Sequence, residues 1–292
     1  MVHPALGLGC VSGEWDGVTA TFYPCGQALE LPEHYVPSAF REWDVHLFDW
    51  QTQCSSQASR DDGLRVALKR LMPTVGCEAD AVAFTEEAQH GLQPQSELPI
   101  TPSGSYVLAP ASMEAKDLRL EVCMARPSSG PLAPRLRTRV VFSLRRKQSD
   151  GSWELQDIQV HNEKWVSPYN GGAELAGCGG GERTFAKRPA LERSLLKAAL
   201  DSAVEASAQV HLQRGTADSS LHERSDSMPA SRLKEVMEDA LLLPSGIAAS
   251  VAISRDSVQV ASGLVSDDDD GSLLGAAMCS FSTSGLDEVI IM

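Results

Sequence analysis

Short stretches with strand-like alternation recur through the first 166 residues, and they limit the folds that this chain can adopt. In WDGVTATFY (15–23), Val18, Ala20 and Phe22 occupy every second position. Further stretches that read as strands occupy 41–50, 77–84, 105–110, 118–125, 136–146 and 153–165. The segment 64–72 fits a strand or a helix equally well. About eight strands joined mostly by short polar loops predict an antiparallel β meander, which suffices for a closed barrel with room for about one ligand.

The turn between the last two of these stretches is the clearest local signal. Asp150 and Gly151 lie between 136–146 and 153–165, and an Asp-Gly pair in that position is typical of a β-hairpin. The pair therefore predicts that these two strands are antiparallel neighbours.

The rest of the chain reads as a linker followed by a second, smaller unit. Residues 167–188 are rich in glycine and predict a connector. Residues 189–213 have leucine and alanine at helical spacing and predict a helix that begins near Pro189. Residues 232–246 fit a helix or a strand, and four short strands follow. The predicted organisation is a β-barrel at 13–166, a linker at 167–188, and a helix with a smaller or degenerate β-sheet or barrel at 189–292.

Charge and hydropathy exclude two classes of protein. The chain of 292 residues has 39 acidic and 25 basic side chains, a net charge of −14. Affinity for nucleic acid depends largely on basic surface, so no nucleic-acid partner is expected. The sequence contains no window of 18 consecutive apolar residues, which predicts no transmembrane helix. The N-terminus also lacks the features of a secretory signal or an evident transit peptide.

One basic stripe departs from the acidic composition. In RLRTRVVFSLRRK (135–147), Arg135, Arg137 and Arg139 alternate with Leu136 and Val140. The favoured interpretation is the solvated face of a strand, and the alternative is a surface that binds an anion or a partner.

The residues that usually support catalysis, metal binding or disulfides are scattered. Seven cysteines form no CxxC pair, which predicts no disulfide, no zinc site and a reducing compartment. Histidines form no HxH or HExxH pair, and no nucleophile motif is present. His161 and Glu163 share one strand face, where they fit a surface pair or, as the alternative, a proton shuttle or half of a metal site. No catalytic residue and no metal ligand set is therefore predicted.

All five tryptophans lie in the first 170 residues. Such aromatic residues pack the core of a barrel, and they also line pockets for flat apolar ligands. If a pocket exists, its predicted wall consists of Phe22, Trp43, Val45, Leu47, Val107 and Val122. Arg137 or Arg139 would then lie near the mouth and bind a carboxylate. The alternative is that these side chains fill the barrel completely.

Three stretches carry a resemblance to a known family: GEWDGVTATFYPCGQALELPEHYVPSAFREWDVHLFDWQTQCSS, LMPTVGCEADA and HNEKWVSPYNGGAELAGC. They resemble lipocalin-like (calycin) proteins of plant and algal chloroplasts and of cyanobacteria. The C-terminal strands resemble those of the related S-type phycobiliprotein lyases. In lipocalins, a tryptophan after a glycine on the first strand plugs one end of the barrel against an arginine. The resemblance assigns that role to Trp15, with Arg139 or Arg145 as its partner.

The resemblance implies a chloroplast (stromal) protein without catalytic activity. Such a protein binds a lipophilic or tetrapyrrole-like ligand, or assists the assembly of pigment–protein complexes with a photosynthetic partner. Two alternatives stay open: an enzyme similar to bilin lyases, and a protein-interaction scaffold without a small ligand. The C-terminal half has no Trp or Tyr, so any ligand is expected within 13–166.

Overall fold

The structure is a computed structural model of the chain. It describes residues 5–59, 62–75, 82–90, 100–110, 113–126, 134–173, 184–206, 210–213, 228–254, 257–266, 272–282 and 285–291.

The first 167 residues contain eight of the described strands and two short helices. The strands are β1 (Gly13–Phe22), β2 (Asp49–Ser59), β3 (Gly63–Leu71), β4 (Val82–His90), β5 (Tyr106–Leu108), β6 (Asp117–Ala125), β7 (Leu136–Arg146) and β8 (Trp153–Ser167). The helices are α1 (Ala5–Val11) and α2 (Ser38–Glu42). Segment 64–72 is thus a strand, and the predicted stretch 77–84 falls partly outside the described residues.

These eight strands form one antiparallel sheet in the order β4-β3-β2-β1-β8-β7-β6-β5. The hairpin β7–β8 turns at Asp150 and Gly151, as predicted, and Gly151 has a φ of 71°. The sheet curls into a half-barrel. Leu64 of β3 and Tyr106 of β5 lie six strands apart in the sheet, yet both belong to one buried cluster. The face that carries them is therefore the inner face of the curl.

The second half of the chain forms a smaller sheet with helices on one side. Its described elements are α3 (Arg193–Ala206), β9 (Val210–Gln213), α4 (Met228–Met237), β10 (Leu241–Leu243), β11 (Ile247–Ile253), β12 (Ser257–Val265), β13 (Leu273–Ser282) and β14 (Gly285–Ile291). The six strands are antiparallel in the order β10-β11-β12-β13-β14-β9. Leucines of α3 and α4 pack with Ala248, Ala261 and Met278 on the outer face of this sheet.

The predicted helix 189–213 is wrong at both ends. Helix α3 begins at Arg193, and Val210–Gln213 is an edge strand paired with β14 through Ile291↔Val210 and Ile290↔His211. That pairing depends on residues some 80 positions away, and strand formation follows such a partner more than local propensity. Periodicity within the segment does not contain this information.

The main core lies between the two sheets. The outer face of the half-barrel contributes Ala20, Phe22 and Phe142, which pack in one cluster with Val260 and Phe281 of the second sheet. Phe185, from the predicted linker, is buried here and meets Phe22 edge to face at a centroid distance of 6.2 Å. The sheets therefore share a core, and the inner face of the half-barrel is a separate environment.

The segment 41–50 is not the strand that its alternation predicts. It contains the end of α2, a turn at Asp44 with φ of 54°, and only the first two residues of β2. Pro32 and Pro37 precede a 3₁₀ turn (Glu33–Tyr35) and α2, and proline favours such starts. Trp43 is consequently 61% exposed and Val45 is also exposed, so neither lines a barrel.

Candidate functional site

The inner face of the half-barrel carries buried charged side chains. In β8, Glu163 pairs with Gly17 of β1 and Arg137 of β7, and His161 pairs with Thr19 and Arg139 in the same strands. Directly opposed residues of antiparallel strands project to the same face, so the register alone places these side chains together. Both arginines, His161 and Glu163 are buried. The expectation of a solvated arginine face is therefore wrong for Arg137 and Arg139, and a surface position is wrong for His161 and Glu163.

Two arginines and two glutamates form a buried ion-pair network in this face. Glu163 accepts from Arg137 Nε at 2.5 Å, and from Arg139 Nε and Nη2 at 3.0 and 2.8 Å. Arg139 Nη1 donates to Glu121 Oε1 at 3.0 Å, and the Tyr106 hydroxyl donates to the same oxygen at 2.6 Å. Burial alone would raise the pKa of Glu163, but the two guanidiniums hold it well below its ordinary value. Glu163 is therefore ionised near neutral pH.

Trp15 lies at one end of the inner face and is 3% exposed, in agreement with the burial expected of it. The guanidinium of Arg137 lies 3.8 Å from the centroid of a Trp15 ring, and that of Arg135 lies 5.4 Å away. Arg137 also donates to the carbonyl of Val11 at the end of α1. The arginine next to Trp15 is thus Arg137. The two arginines expected beside Trp15 bind other residues: Arg139 binds the glutamates, and Arg145 forms an exposed ion pair with Asp117.

His161 lies further along the same face. One of its ring nitrogens makes a hydrogen bond, and the other makes none with the described residues. Its Nδ1 is 2.7 Å from Thr19 Oγ1, which is 3.2 Å from Thr52 Oγ1. Its Nε2 is buried and has no hydrogen-bond partner in the described part of the chain. Burial, and then the positive charge of Arg139, hold the pKa of His161 well below its ordinary value. The imidazole is therefore neutral at physiological pH.

Arg70 of β3 brings a third guanidinium to this face. Its Nη2 donates to both carboxylate oxygens of Glu86 at 3.2 Å and to Gln159 Oε1 at 3.3 Å. Its Nη1 is buried and, among the described residues, has no partner. Burial lowers the pKa of Arg70, and the nearby arginines 119 and 139 act in the same direction. A guanidinium remains charged in proteins, so this nitrogen is a buried cationic donor whose two N–H groups make no hydrogen bond within the described residues.

The side of the face that holds Arg70 is open to solvent. Arg119 is exposed and reaches Gln159 Oε1 at 3.5 Å, while Gln159 and Glu86 are half-buried. We define the open end by Arg70, Glu86, Arg119 and Gln159. Next to it, Trp50, Phe84 and Tyr35 form an aromatic group with centroid distances of 5.2 to 5.6 Å, and Arg70 lies 5.4 Å from the Phe84 centroid. The inner face therefore places nitrogens that have no hydrogen-bond partner in the described residues close to aromatic side chains.

The structure separates the residues predicted to form one pocket wall. Arg137 and Arg139 lie together on the inner face, whereas Phe22, Val107 and Val122 lie on the outer face, in the core between the sheets. Leu47 is buried with Trp50, and Trp43 and Val45 are exposed. The predicted wall assumed that apolar residues point into the barrel, but here they face the second sheet.

Sequence reasoning missed Arg70, Glu121 and Tyr106 as members of this face. Glu121 and Tyr106 have apolar neighbours in their own strands, and Arg70 follows Lys69 in a strand with another basic residue, so local sequence gives no reason to group the three. The available signal was the pair of alternating polar stretches, Arg135 to Arg139 and His161 to Glu163, in two strands joined by a predicted hairpin. Opposite charges at matching distances from Asp150-Gly151 indicate cross-strand pairs.

The described thiols and carboxylates do not assemble into a metal site. Cysteines 10, 25, 54, 123 and 279 are free, and Cys77 and Cys178 lie outside the described residues. Burial raises the pKa of Cys54 and Cys123 to about 12, so both stay protonated. Within the described ranges no group of three or more His, Cys, Asp or Glu side chains converges on one point. Of the helices described, none has the length and apolar character needed to cross a membrane.

Acid should destabilise the fold through His161. The unfolded chain binds a proton at His161 with a pKa of about 6.5, whereas the folded chain resists it, so stability is present above that pH and is lost as the pH falls. We expect a loss of up to about 1.4 kcal/mol per pH unit from this group between pH 6 and 5. Glu163, whose folded pKa is also lowered, adds a loss of the same sign below about pH 4.3.

Urea unfolding at pH 7.5, 6.5 and 5.5 measures this dependence. His161→Gln should flatten the curve, and His34→Gln, at an exposed histidine, serves as the matched control. Parallel pH curves for the wild type and His161→Gln would contradict the assignment.

The fold and this face define a mainly β, antiparallel protein with a half-barrel whose inner face carries a buried ion-pair network beside an apolar cluster. No protein-family model matches the chain, and no curated protein matches it. Among solved structures, the crystal structure of a proposed AttH from Nitrosomonas europaea is 12% identical, with 96% of this chain and 91% of that chain covered. Its TM-score is 0.20, so this similarity supports no conclusion about fold or function.

Proposed function

We propose that the protein is a non-catalytic binding protein that takes a small lipophile with a carboxylate group at the open end of the half-barrel. The observation that carries the proposal is the pair of buried nitrogens without partners, Arg70 Nη1 and His161 Nε2. A buried polar group without a hydrogen bond typically costs about 1–3 kcal/mol, so a ligand that satisfies it recovers part of that free energy. Most buried polar groups in native proteins have a hydrogen-bond partner.

The charge of the open end favours an acid as the bound group. Arg70 and Arg119 both contact the neutral oxygen of Gln159, and Glu86 is the carboxylate bound to Arg70 in the described residues. A carboxylate presents two acceptor oxygens, which match the planar donors of arginine. His161, neutral and with its Nδ1 engaged by Thr19, can offer Nε2 as a donor when Nδ1 accepts from the threonine.

The aromatic group beside Arg70 favours an apolar body for the ligand. Trp50 is buried, but Phe84 and Tyr35 are half-buried and leave ring surface accessible next to the guanidinium. Flat apolar ligands gain most from rigid aromatic walls. Tetrapyrroles with propionate side chains combine both chemistries, and the resemblance to chloroplast lipocalin-like proteins suggests the same class of ligand. A chloroplast location and a role in pigment–protein assembly are part of this proposal through that resemblance alone.

Protoporphyrin IX and its dimethyl ester provide a matched pair of probes. Quenching of tryptophan fluorescence should show that the free acid binds at least about tenfold more tightly than the ester, because only the acid can pair with the guanidinium. Arg70→Met should abolish this preference. Arg145→Met, which removes an exposed arginine elsewhere, should leave it unchanged.

Two results would contradict the proposal. One is equal affinity for the acid and the ester in the wild type, and the other is an acid preference that survives Arg70→Met in a protein with native circular dichroism. Failure of the free acid to bind would also reject the class of ligand.

A further inference from the structure

Strand β11 has an edge that its neighbour covers only in part. β10 pairs with Ile247, Ala248 and Ala249, and among the described strands β12 alone pairs with the remaining residues 250–253. Ala252 and Ile253 are exposed, and Val251 is half-buried. An unpaired edge of this kind is a template for another strand.

The register shows which backbone groups face outward at this edge. Val265 N donates to Gly246 O at 2.8 Å, and Ser254 N donates to Ser257 O at 2.9 Å, so both pairs bond between β11 and β12. Residues of an antiparallel strand alternate between their two neighbours. The even-numbered residues therefore bond to β12, and Val251 and Ile253 direct their N–H and C=O groups away from it.

A groove runs beside this edge and has helix α4 as its other wall. It has a volume of about 710 Å³ and includes Glu235 and Val236 of α4, Asp239 just after the helix, and Ser250 and Ala252 of β11. Ser250 Oγ donates to the carbonyl of Val236 at 2.8 Å, which fixes the helix against the strand. A chain added at the edge would direct alternate side chains into this groove.

The charge of the groove selects a basic occupant. Arg232, its one cation among the lining residues, is 3.4 Å from Glu288. Glu235 and Asp239 are exposed carboxylates with no cationic side chain paired to them in the described residues. Basic side chains on an incoming strand would meet these carboxylates, while a second copy of this chain would bring the same negative charges and be repelled.

We propose that the Val251–Ile253 edge and the α4 groove bind an extended, basic segment of a partner protein by strand addition. This mode combines main-chain hydrogen bonds with pockets for alternate side chains. The surface lies on the second sheet, apart from the open end of the half-barrel, so it is independent of the proposed ligand. The class of partner is a protein with an accessible extended segment that alternates lysine or arginine with β-branched residues.

A fluorescein-labelled peptide of four Lys-Val repeats is a suitable probe, with a Glu-Val peptide of equal length as its control. Fluorescence anisotropy should show binding of the Lys-Val peptide alone. Ile253→Pro removes an outward N–H at an edge position that tolerates proline, and should weaken binding about tenfold or more relative to Ile253→Ala. Both variants keep the net charge, which controls for unspecific attraction to an acidic protein.

A second variant tests the same surface without a change to the backbone. Glu235→Lys combined with Asp239→Lys should abolish binding of the Lys-Val peptide and leave the circular dichroism spectrum native. The proposal is overturned if Ile253→Pro and Ile253→Ala bind equally, if the charge reversal has no effect, or if the wild type does not bind the peptide. It is also overturned if sedimentation shows a dimer that Ile253→Pro dissociates, because the edge would then pair two copies.

Discussion

Arg139→Ala is expected to lower the free energy of unfolding by about 3–5 kcal/mol, the range typical for removal of one partner from a buried ion pair. Arg139 holds Glu163 through two hydrogen bonds and Glu121 through a third, and all three side chains are buried. Without the guanidinium of Arg139, Glu121 still accepts a hydrogen bond from Tyr106, and Glu163 still accepts one from Arg137. Each buried carboxylate nevertheless loses a cationic partner. Urea unfolding monitored by tryptophan fluorescence measures the loss.

An exposed ion pair provides the matched control. Arg145 binds Asp117 at 2.8 Å, but both side chains are more than half exposed, so Arg145→Ala should cost less than about 1 kcal/mol. The double variant Arg139→Ala with Glu121→Ala should cost less than the sum of the two single variants, because both single variants remove the same Arg139–Glu121 contact. Similar losses for Arg139→Ala and Arg145→Ala would show that the network does not contribute as described.

Trp15→Ala is the second change with a large expected effect, about 3–5 kcal/mol. Trp15 packs in a buried cluster with Val11, Leu64 and Leu68, and its ring covers the guanidinium of Arg137. Its indole Nε1 has no partner among the described residues, so the loss comes from packing and the cation–π contact rather than from a hydrogen bond. Thermal unfolding or urea titration measures it.

Trp43→Ala is the natural comparison, since it deletes the same side chain at a position that is 61% exposed. It should change stability by about 0.5 kcal/mol or less, as surface substitutions usually do. Trp15→Phe should recover part of the loss because a ring remains over Arg137. If Trp15→Ala were as mild as Trp43→Ala, Trp15 would not close this end of the half-barrel.

The pattern of strands could be predicted well where each strand has a strong local signature. Stretches 15–23, 118–125, 136–146 and 153–165 are strands in the structure, and the hairpin at Asp150-Gly151 is where its residues place it. The strand predicted at 41–50 is wrong because Trp43, Val45 and Leu47 alternate by chance within a helix end and a turn. Two prolines upstream carried a contrary signal about that segment.

Only part of the candidate site could be predicted from the sequence. The sequence favours solvated positions for Arg137, Arg139, His161 and Glu163, because charged residues at alternate positions of a strand usually face water. Its alternatives were an anion-binding surface or pocket mouth for the arginines, and a proton shuttle or half of a metal site for His161 and Glu163. Arg70 gave no signal at all. Its role arises from Glu86 and Gln159, which lie 16 and 89 residues further along the chain.

The sequence by itself determined that this chain is mainly β, that its strands are antiparallel, and that polar and apolar side chains occupy opposite faces of β7 and β8. Only the tertiary structure decided which face is inside the curl. A strand with period two is unchanged when the sheet bends either way, so alternation cannot tell the inner face from the outer one. The second sheet decided it, because its valines and Phe281 cover the apolar outer face. The charged face therefore lies on the inside of the half-barrel. There Arg137, Arg139, Glu121 and Glu163 pair with one another out of contact with water.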